Sequence, residues 1–234
     1  MSTVEYAPGR WADVLGEPAQ PTALLWHGTQ TDSRAAVRPL AAALAERGMG
    51  VIAPDWDSHA PDGGRADLLQ SVGFARRRVG AAALTLIGWS LGGAAAAGLV
   101  LRAHDSGVPV ARAVCLGGAF MVADPISGGP PLDGVAPAAS RPPLHLFVGT
   151  RDAVVPASAA TEFAAGLRAL DWPVEIVEFD ADHGSIAGAR YDPQRDRYEP
   201  ADDPATRAIV RRVAARISDV VHRPLPGVRG HTPG

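Results

Sequence analysis

Residues 88–92 read Gly-Trp-Ser-Leu-Gly and place Ser90 at the centre of a G-x-S-x-G pattern. Where this pattern forms a nucleophile elbow, the serine sits on a sharp turn between a strand and a helix, and small flanking residues let those two elements approach each other. The neighbouring sequence fits, because residues 83–87 form a short apolar run and residues 91–102 are rich in alanine and leucine. This context favours a nucleophilic serine over a glycine-rich turn with an incidental hydroxyl.

A serine hydroxyl is a weak nucleophile, so it needs a base within hydrogen-bond reach and an acid that orients the base. His183 directly follows the last predicted strand, and we expect it to be the base. His59, in the loop after the second predicted strand, is its main competitor.

The acid should also follow a strand, because the carboxyl ends of parallel strands lie along one edge of a sheet and residues there can meet. Asp152 comes directly after the fifth predicted strand and is the first candidate. Asp124, after the fourth predicted strand, is the reserve candidate. The chain therefore predicts the order Ser90, Asp152, His183, with Asp124 as the alternative acid.

The composition excludes several other chemistries. All 22 basic residues are arginine, and the chain has no lysine and no asparagine. A Walker-type phosphate loop, a Schiff-base lysine and a Cys-His-Asn triad are therefore excluded. Cys115 is the single cysteine, so neither an intrachain disulfide nor a thiolate metal cluster can form. We expect no metal and no cofactor.

The charge pattern argues against large polyanionic partners. The net charge is −3 and no basic stripe is present, so nucleic-acid binding is not expected. Residues 1–16 have neither a basic leader nor an apolar core, which predicts a cytoplasmic protein. Residues 80–101 carry no charge, but their strand-like and helix-like halves meet at the serine motif, so membrane association is not expected either.

Strand-like and helix-like segments alternate along the chain, which predicts an α/β fold with a mostly parallel sheet and helices on both faces. Residues 4–15 suggest one or two edge strands, and the Gly/Pro-rich residues 119–143 predict a loop with no large lid. The mixed charges of residues 190–203 favour a solvated surface loop over a border of the site entrance. We expect a single domain over 1–234, with 223–234 as a flexible tail. The predicted strands are 22–26, 50–55, 83–87, 111–116, 144–148 and 174–179, and the predicted helices are 34–47, 64–79, 91–102, 158–170 and 204–221.

Over residues 22–221 the chain resembles serine hydrolases of the α/β-hydrolase fold, in particular small carboxylesterases and dienelactone hydrolases. His27-Gly28-Thr29 resembles their HG-x oxyanion loop, and residues 88–92 resemble their nucleophile elbow. The resemblance implies a three-layer fold and cleavage of carboxylic or thioesters of small to medium acyl groups through an acyl-enzyme on Ser90. It also implies an oxyanion hole built from the backbone amides of Thr29 and Leu91, with His27 shaping the loop.

One departure concerns the nucleophile, because dienelactone hydrolases use a cysteine where this chain has Ser90. Two other activities fit the same residues: a cofactor-free perhydrolase-type oxidoreductase, and a non-catalytic ligand-binding protein. The small-molecule substrate is expected to meet an acyl pocket walled by large apolar side chains near strand ends, although such residues are at least as often core. The predicted pocket residues are Trp56, Trp89, Phe120 and Met121.

Overall fold

An eight-stranded sheet with the order β1-β2-β4-β3-β5-β6-β7-β8 forms the centre of the fold. The structure, a computed structural model, describes residues 1–17, 21–136 and 140–223. The sheet strands are β1 (Ser2–Ala7), β2 (Arg10–Leu15), β3 (Thr22–Trp26), β4 (Gly50–Pro54), β5 (Leu84–Trp89), β6 (Val110–Leu116), β7 (Leu144–Gly149) and β8 (Val174–Phe179). A separate hairpin contains β9 (Ala189–Asp192) and β10 (Arg197–Pro200).

Helices cover both faces of the sheet. The α-helices are α1 (Arg38–Ala45), α2 (Arg65–Val79), α3 (Leu91–Leu101), α4 (Ala103–Ser106), α5 (Ala157–Ala169) and α6 (Pro204–His222), and short 3₁₀ helices span Arg34–Val37 and Ser185–Ala187. One apolar core contains Leu68 of α2, Leu99 of α3 and Phe163 of α5. The core on the opposite face contains Leu40 of α1 and Val213 of α6. The predicted α/β fold with helices on both faces is confirmed.

The sheet is parallel from β4 to β8 and antiparallel at its first edge. β2 pairs antiparallel with both β1 and β4, so the predicted edge strands within residues 4–15 are present. Every residue of β4, β5 and β7 is buried, which explains their continuous apolar runs. Parallel pairing aligns the carboxyl ends of β3 to β8 along one edge, where the loops that carry the candidate site residues begin.

Strand β3 lies between β4 and β5, and the helices that follow β3 and β5 lie on opposite faces of the sheet. Helix α1 follows β3 on one face, whereas α3 follows β5 on the other, which opens a crevice at the carboxyl ends of these strands. Trp26 at the end of β3 pairs with Gly88 of β5. This register brings the loop that begins at His27 directly beside the turn at Ser90.

Glycines allow β5 and α3 to meet backbone to backbone. A Cβ at Gly88 would overlap the carbonyl of Gly92, and a Cβ at Gly92 would overlap the carbonyl of His27. A side chain at Gly88 would push α3 away from β5, and one at Gly92 would push α3 away from the end of β3, so packing requires both glycines of the motif.

The structure differs from the sequence prediction in three places. Part of residues 190–203, expected to be a solvated surface loop, belongs to the β9–β10 hairpin over 189–200. The helix predicted over 34–47 is a 3₁₀ helix followed by α1, and a short helix α4 follows α3. Between β6 and β7, the described residues contain no helix or strand, in agreement with the predicted loop. The predicted tail, residues 223–234, lies outside the described residues except for Arg223. No helix within the described ranges is long and apolar enough to cross a membrane.

The contact at Gly88 can be tested by substitution. Gly88→Ala should lower the free energy of unfolding by about 2 kcal/mol or more, because overpacking against backbone atoms cannot be relieved by a rotamer change. Gly129→Ala is the matched control, since a Cβ there would meet no heavy atom within 4 Å. Urea unfolding measures both, and equal stabilities of the two variants would contradict the packing argument.

Candidate active site

Ser90 occupies the turn between β5 and α3 with φ 58° and ψ −121°. A positive φ costs a residue with a Cβ roughly 1–3 kcal/mol and persists only when the surroundings fix it. Here the Ser90 amide donates to the Leu116 carbonyl at 2.9 Å, and the Ser90 carbonyl accepts from the amides of Gly93 and Ala119 at 2.9 and 3.1 Å. The strained turn is therefore held by α3 on one side and by β6 and its following loop on the other.

Asp152 and His183 form a buried hydrogen-bonded pair after β7 and β8. Their Oδ2 and Nδ1 atoms are 2.8 Å apart, and the other carboxylate oxygen, Oδ1, accepts from the amides of Val154 and Val155. Burial raises the pKa of Asp152, but the hydrogen bonds from His183, Val155 and Val154 outweigh it and hold that pKa below its usual value. Because an ionised Asp152 carboxylate can only accept a hydrogen bond, a neutral His183 ring carries its proton on Nδ1. Its Nε2 is then free to accept a proton.

The pair lies next to the serine turn. Trp89, the residue before Ser90, donates its indole N–H to the His183 carbonyl at 2.7 Å, and the Trp89 and His183 rings are 5.4 Å apart. A Cβ at Gly117, just after β6, would lie 3.1 Å from the Asp152 carboxylate. Among the described residues no hydrogen bond joins the Ser90 hydroxyl to the imidazole, a contact that often tightens only when substrate binds.

Asp124 has a different role. Its carboxylate is fully buried and accepts from the amides of Ile126 and Ser127 at 2.8 and 2.9 Å. A Cβ at Gly98 would overlap it, so it packs directly on α3. Asp124 therefore shapes the loop after β6, and Asp152 is the carboxylate that holds His183. The competing base His59 is 66% exposed and contacts the Thr31 hydroxyl instead.

Two backbone amides lie beside Ser90 without an acceptor. Leu91 is the first residue of α3, so its amide has no partner within the helix. A Cβ at Gly28 would lie 3.0 Å from the Ser90 Cβ, which brings the loop with Thr29 against the turn. In the part of the chain that the structure describes, neither the Leu91 nor the Thr29 amide forms a hydrogen bond. Backbone amides without an acceptor beside a nucleophilic serine are the kind of donor that an oxyanion hole uses.

His27 shapes the loop that carries Thr29. Its Nε2 accepts from the amides of Ser33 and Trp56, and its Nδ1 contacts the Gly28 carbonyl at 2.8 Å, so the proton lies on Nδ1. The Trp56 ring stacks on the imidazole at 5.3 Å and donates its N–H to the His27 carbonyl. Complete burial lowers the pKa of His27 to about 3, so the ring is neutral.

The predicted pocket aromatics lie mostly in the core. Trp56 and Trp89 are 0% and 1% exposed, so neither forms the wall of an open pocket, contrary to the sequence prediction. Phe120 is also buried and stacks on Phe163 with ring centroids 4.1 Å apart, whereas Met121 is exposed. Position near a strand end does not distinguish a wall from the layer behind it, and here burial decides against the tryptophans.

Sequence reasoning missed the hairpin side of the site. A cleft of about 390 Å³ is lined by His183, Val154 of the Asp152 turn and Tyr198 of β10. The signal was two tyrosine-containing segments separated by a turn-like Asp-Pro-Gln-Arg-Asp sequence. A larger groove of about 660 Å³ lies along α2 toward the carboxyl end of α3, and none of the predicted site residues lines it.

The remaining reactive groups offer no competing centre. Burial raises the pKa of the Cys115 thiol to about 12, so it is not a nucleophile at neutral pH. Over residues 1–17, 21–136 and 140–223, no cluster of three or more His, Cys, Asp or Glu side chains is arranged to hold a metal ion.

Solved structures resemble this chain, although no protein-family model and no curated protein matches it. Esterase 2 of Thermogutta terrifontis with propionate bound is 17% identical, with a TM-score of 0.69 over 94% of this chain and 93% of that chain. The same esterase phosphorylated by paraoxon is 19% identical, with a TM-score of 0.70 over 94% of both chains. At these identities the likeness shows the fold, and this chain has the α/β fold of that esterase.

The buried neutral His27 predicts how stability depends on pH. Its pKa is about 3 in the folded state and roughly 6.5 when unfolded, so the unfolded chain takes up the proton first as the pH falls. This group leaves stability unchanged above about pH 6.5 and lowers it by about 1.4 kcal/mol per pH unit from there toward pH 3. Urea unfolding at several pH values should show that His27→Gln has a smaller slope of unfolding free energy against pH. The decrease should be about 1.4 kcal/mol per pH unit, which corresponds to one proton. An unchanged slope would contradict a neutral His27.

Proposed function

We propose that this protein is a serine hydrolase that cleaves carboxylic esters through an acyl-enzyme on Ser90. The observation that carries the proposal is the strained turn at Ser90 next to the buried Asp152–His183 pair. A strained turn of this kind needs compensating hydrogen bonds from its neighbours. The turn places the serine side chain at the junction of strand and helix, where neither element covers it.

In the proposed reaction, the Ser90 Oγ attacks the ester carbonyl carbon while His183 Nε2 takes the hydroxyl proton. The carbonyl π electrons move to oxygen, and the amides of Leu91 and Thr29 donate to that oxyanion. The tetrahedral intermediate collapses, the bond to the alcohol oxygen breaks, and His183 returns the proton to the departing alcohol. Water then attacks the acyl-enzyme by the same steps and releases the carboxylic acid. Ser90 and water act as the nucleophiles and His183 carries the protons in these steps, so the proposed reaction needs no cofactor.

The proposed substrates are small-molecule esters of short acids. Ser90 is 8% exposed, and the large side chains of Trp89 and Phe120 are packed into the core. The structurally similar esterase has been solved with propionate and with butyrate bound. Thioesters of the same acids require the same carbonyl chemistry and fall within the proposal.

Removing the proposed nucleophile or acid gives the first test. Ser90→Ala should lower kcat for p-nitrophenyl acetate by about 10⁶. Asp152→Asn should lower it by about 10⁴, because an amide favours the wrong imidazole tautomer. Both variants should remain folded by circular dichroism.

Asp124→Asn is the matched control for the acid. It should leave kcat within about threefold of the wild type but lower stability by about 1–3 kcal/mol, because the Asp124 carboxylate bonds to the loop amides and the Ser127 hydroxyl and lies 3.7 Å from the Arg102 guanidinium, away from the Asp152–His183 pair. A large loss of kcat in Asp124→Asn with full activity in Asp152→Asn would overturn the assignment. A wild type that hydrolyses no ester would overturn the function.

Acyl-chain preference tests the substrate class. Along a series of p-nitrophenyl esters, kcat/KM should peak at acetate to butyrate and fall by about tenfold or more at decanoate, since Trp89 and Phe120 are buried in the core and unavailable to bind a long acyl chain. Rates that rise steadily with chain length would contradict the short-acid assignment.

A further inference from the structure

The β9–β10 hairpin folds back over the proposed base. Tyr198 of β10 lies with its ring 5.8 Å from the His183 ring in an edge-on arrangement, and 5.0 Å from the Trp89 ring, also edge-on. Because Trp89 and His183 are themselves 5.4 Å apart, the three rings contact one another. The cluster thus joins the residue before the nucleophile, the base and the hairpin.

A glycine makes this contact possible. A Cβ at Gly184, the residue after His183, would lie 3.0 Å from the Tyr198 ring. The hairpin is also fixed at its base, where the Ala201 amide donates to the Gly188 carbonyl at 2.9 Å. Tyr198 is therefore half-buried and packs on the chain that follows His183.

Gln30 fastens the other side of the hairpin. Its side-chain oxygen accepts from the Tyr198 amide at 3.2 Å, and its side-chain nitrogen donates to the Tyr198 carbonyl at 3.5 Å. Gln30 directly follows Thr29 in the loop proposed to bind the oxyanion. One amide side chain therefore connects that loop to the residue that covers the imidazole.

The imidazole needs such support. The Asp152 hydrogen bond holds the His183 ring only at Nδ1, so rotations about the His183 side-chain torsions can still tilt the ring. Contacts with Trp89 on one side and Tyr198 on another remove that freedom, because aromatic pairs have preferred geometries at these separations.

We propose that Tyr198 is a positioning residue that holds the His183 ring toward Ser90, and that Gln30 locks Tyr198 in place. This inference rests on the proposed hydrolase function for its kinetic consequence, whereas the restraint on the ring follows from the contacts alone. The aromatic ring, not the phenolic hydroxyl, supplies the restraint.

Kinetics of four hairpin and loop variants test the proposal with p-nitrophenyl acetate. Tyr198→Ala should lower kcat about tenfold with KM within twofold, and Tyr198→Phe should retain at least half of the wild-type kcat. Gln30→Ala should lower kcat about threefold. Gln194→Ala, a glutamine change at the exposed hairpin turn, is the matched control and should leave kcat unchanged.

A spectroscopic readout separates this proposal from the proposed function. In protein labelled with ¹⁵N-histidine, the Nδ1–H signal of His183, identified by its loss in His183→Gln, should broaden in Tyr198→Ala and Gln30→Ala but not in Gln194→Ala. If the wild type is inert but its variants show this pattern of broadening, the proposed hydrolysis is refuted and the proposed restraint on the His183 ring stands. An active wild type whose kcat and Nδ1–H signal are unchanged in a folded Tyr198→Ala overturns the restraint. Loss of kcat in Tyr198→Phe equal to that in Tyr198→Ala would show that the hydroxyl matters instead.

Discussion

Backbone atoms of β5 and α3 meet at Gly88 and Gly92 with no side chain between them. This close approach forces a turn so sharp that Ser90 takes a positive φ, and hydrogen bonds from α3, β6 and the following loop hold it there. The same approach brings the start of α3, with the unpaired Leu91 amide, against the loop after β3. The positions of the nucleophile and of both proposed oxyanion donors thus depend on one packing constraint.

Buried polar groups around this turn are almost all paired, which fixes the loops that carry them. His27 uses both ring nitrogens to hold the loop after β3, and Asp152 uses both oxygens, one for His183 and one for the turn amides. Asp124 holds the loop after β6, where one carboxylate oxygen accepts from two amides and the other accepts from the Ser127 hydroxyl. Each loop is preorganised before any ligand arrives, as electrostatic catalysis requires.

The sequence predicted the fold and the candidate triad because these features follow local rules. The strands were visible as apolar runs, and the glycines of residues 88–92 indicated the elbow. The choice of Asp152 over Asp124 could not be made from strand order alone, since both follow strands. It depends on which carboxylate faces His183 after the chain has folded.

Other features depend on contacts that sequence patterns do not encode. Trp56 and Trp89 lie near strand ends, as pocket residues do, yet their N–H groups bond to backbone carbonyls inside the core. The hairpin was not predicted, because the mixed charges of residues 190–203 favour a solvated loop over two short strands. Its role becomes visible only when Tyr198 is seen against His183, a contact across 15 residues of sequence.

The central claim is that Ser90 is the nucleophile of an acyl-transfer site, and covalent trapping tests it most directly. After reaction with paraoxon, peptide mass spectrometry should find one diethyl phosphoryl group per chain, on the peptide that contains Ser90. Ser90→Ala should take up none. An unmodified wild type, or a phosphoryl group on another residue while Ser90 stays free, would contradict the account.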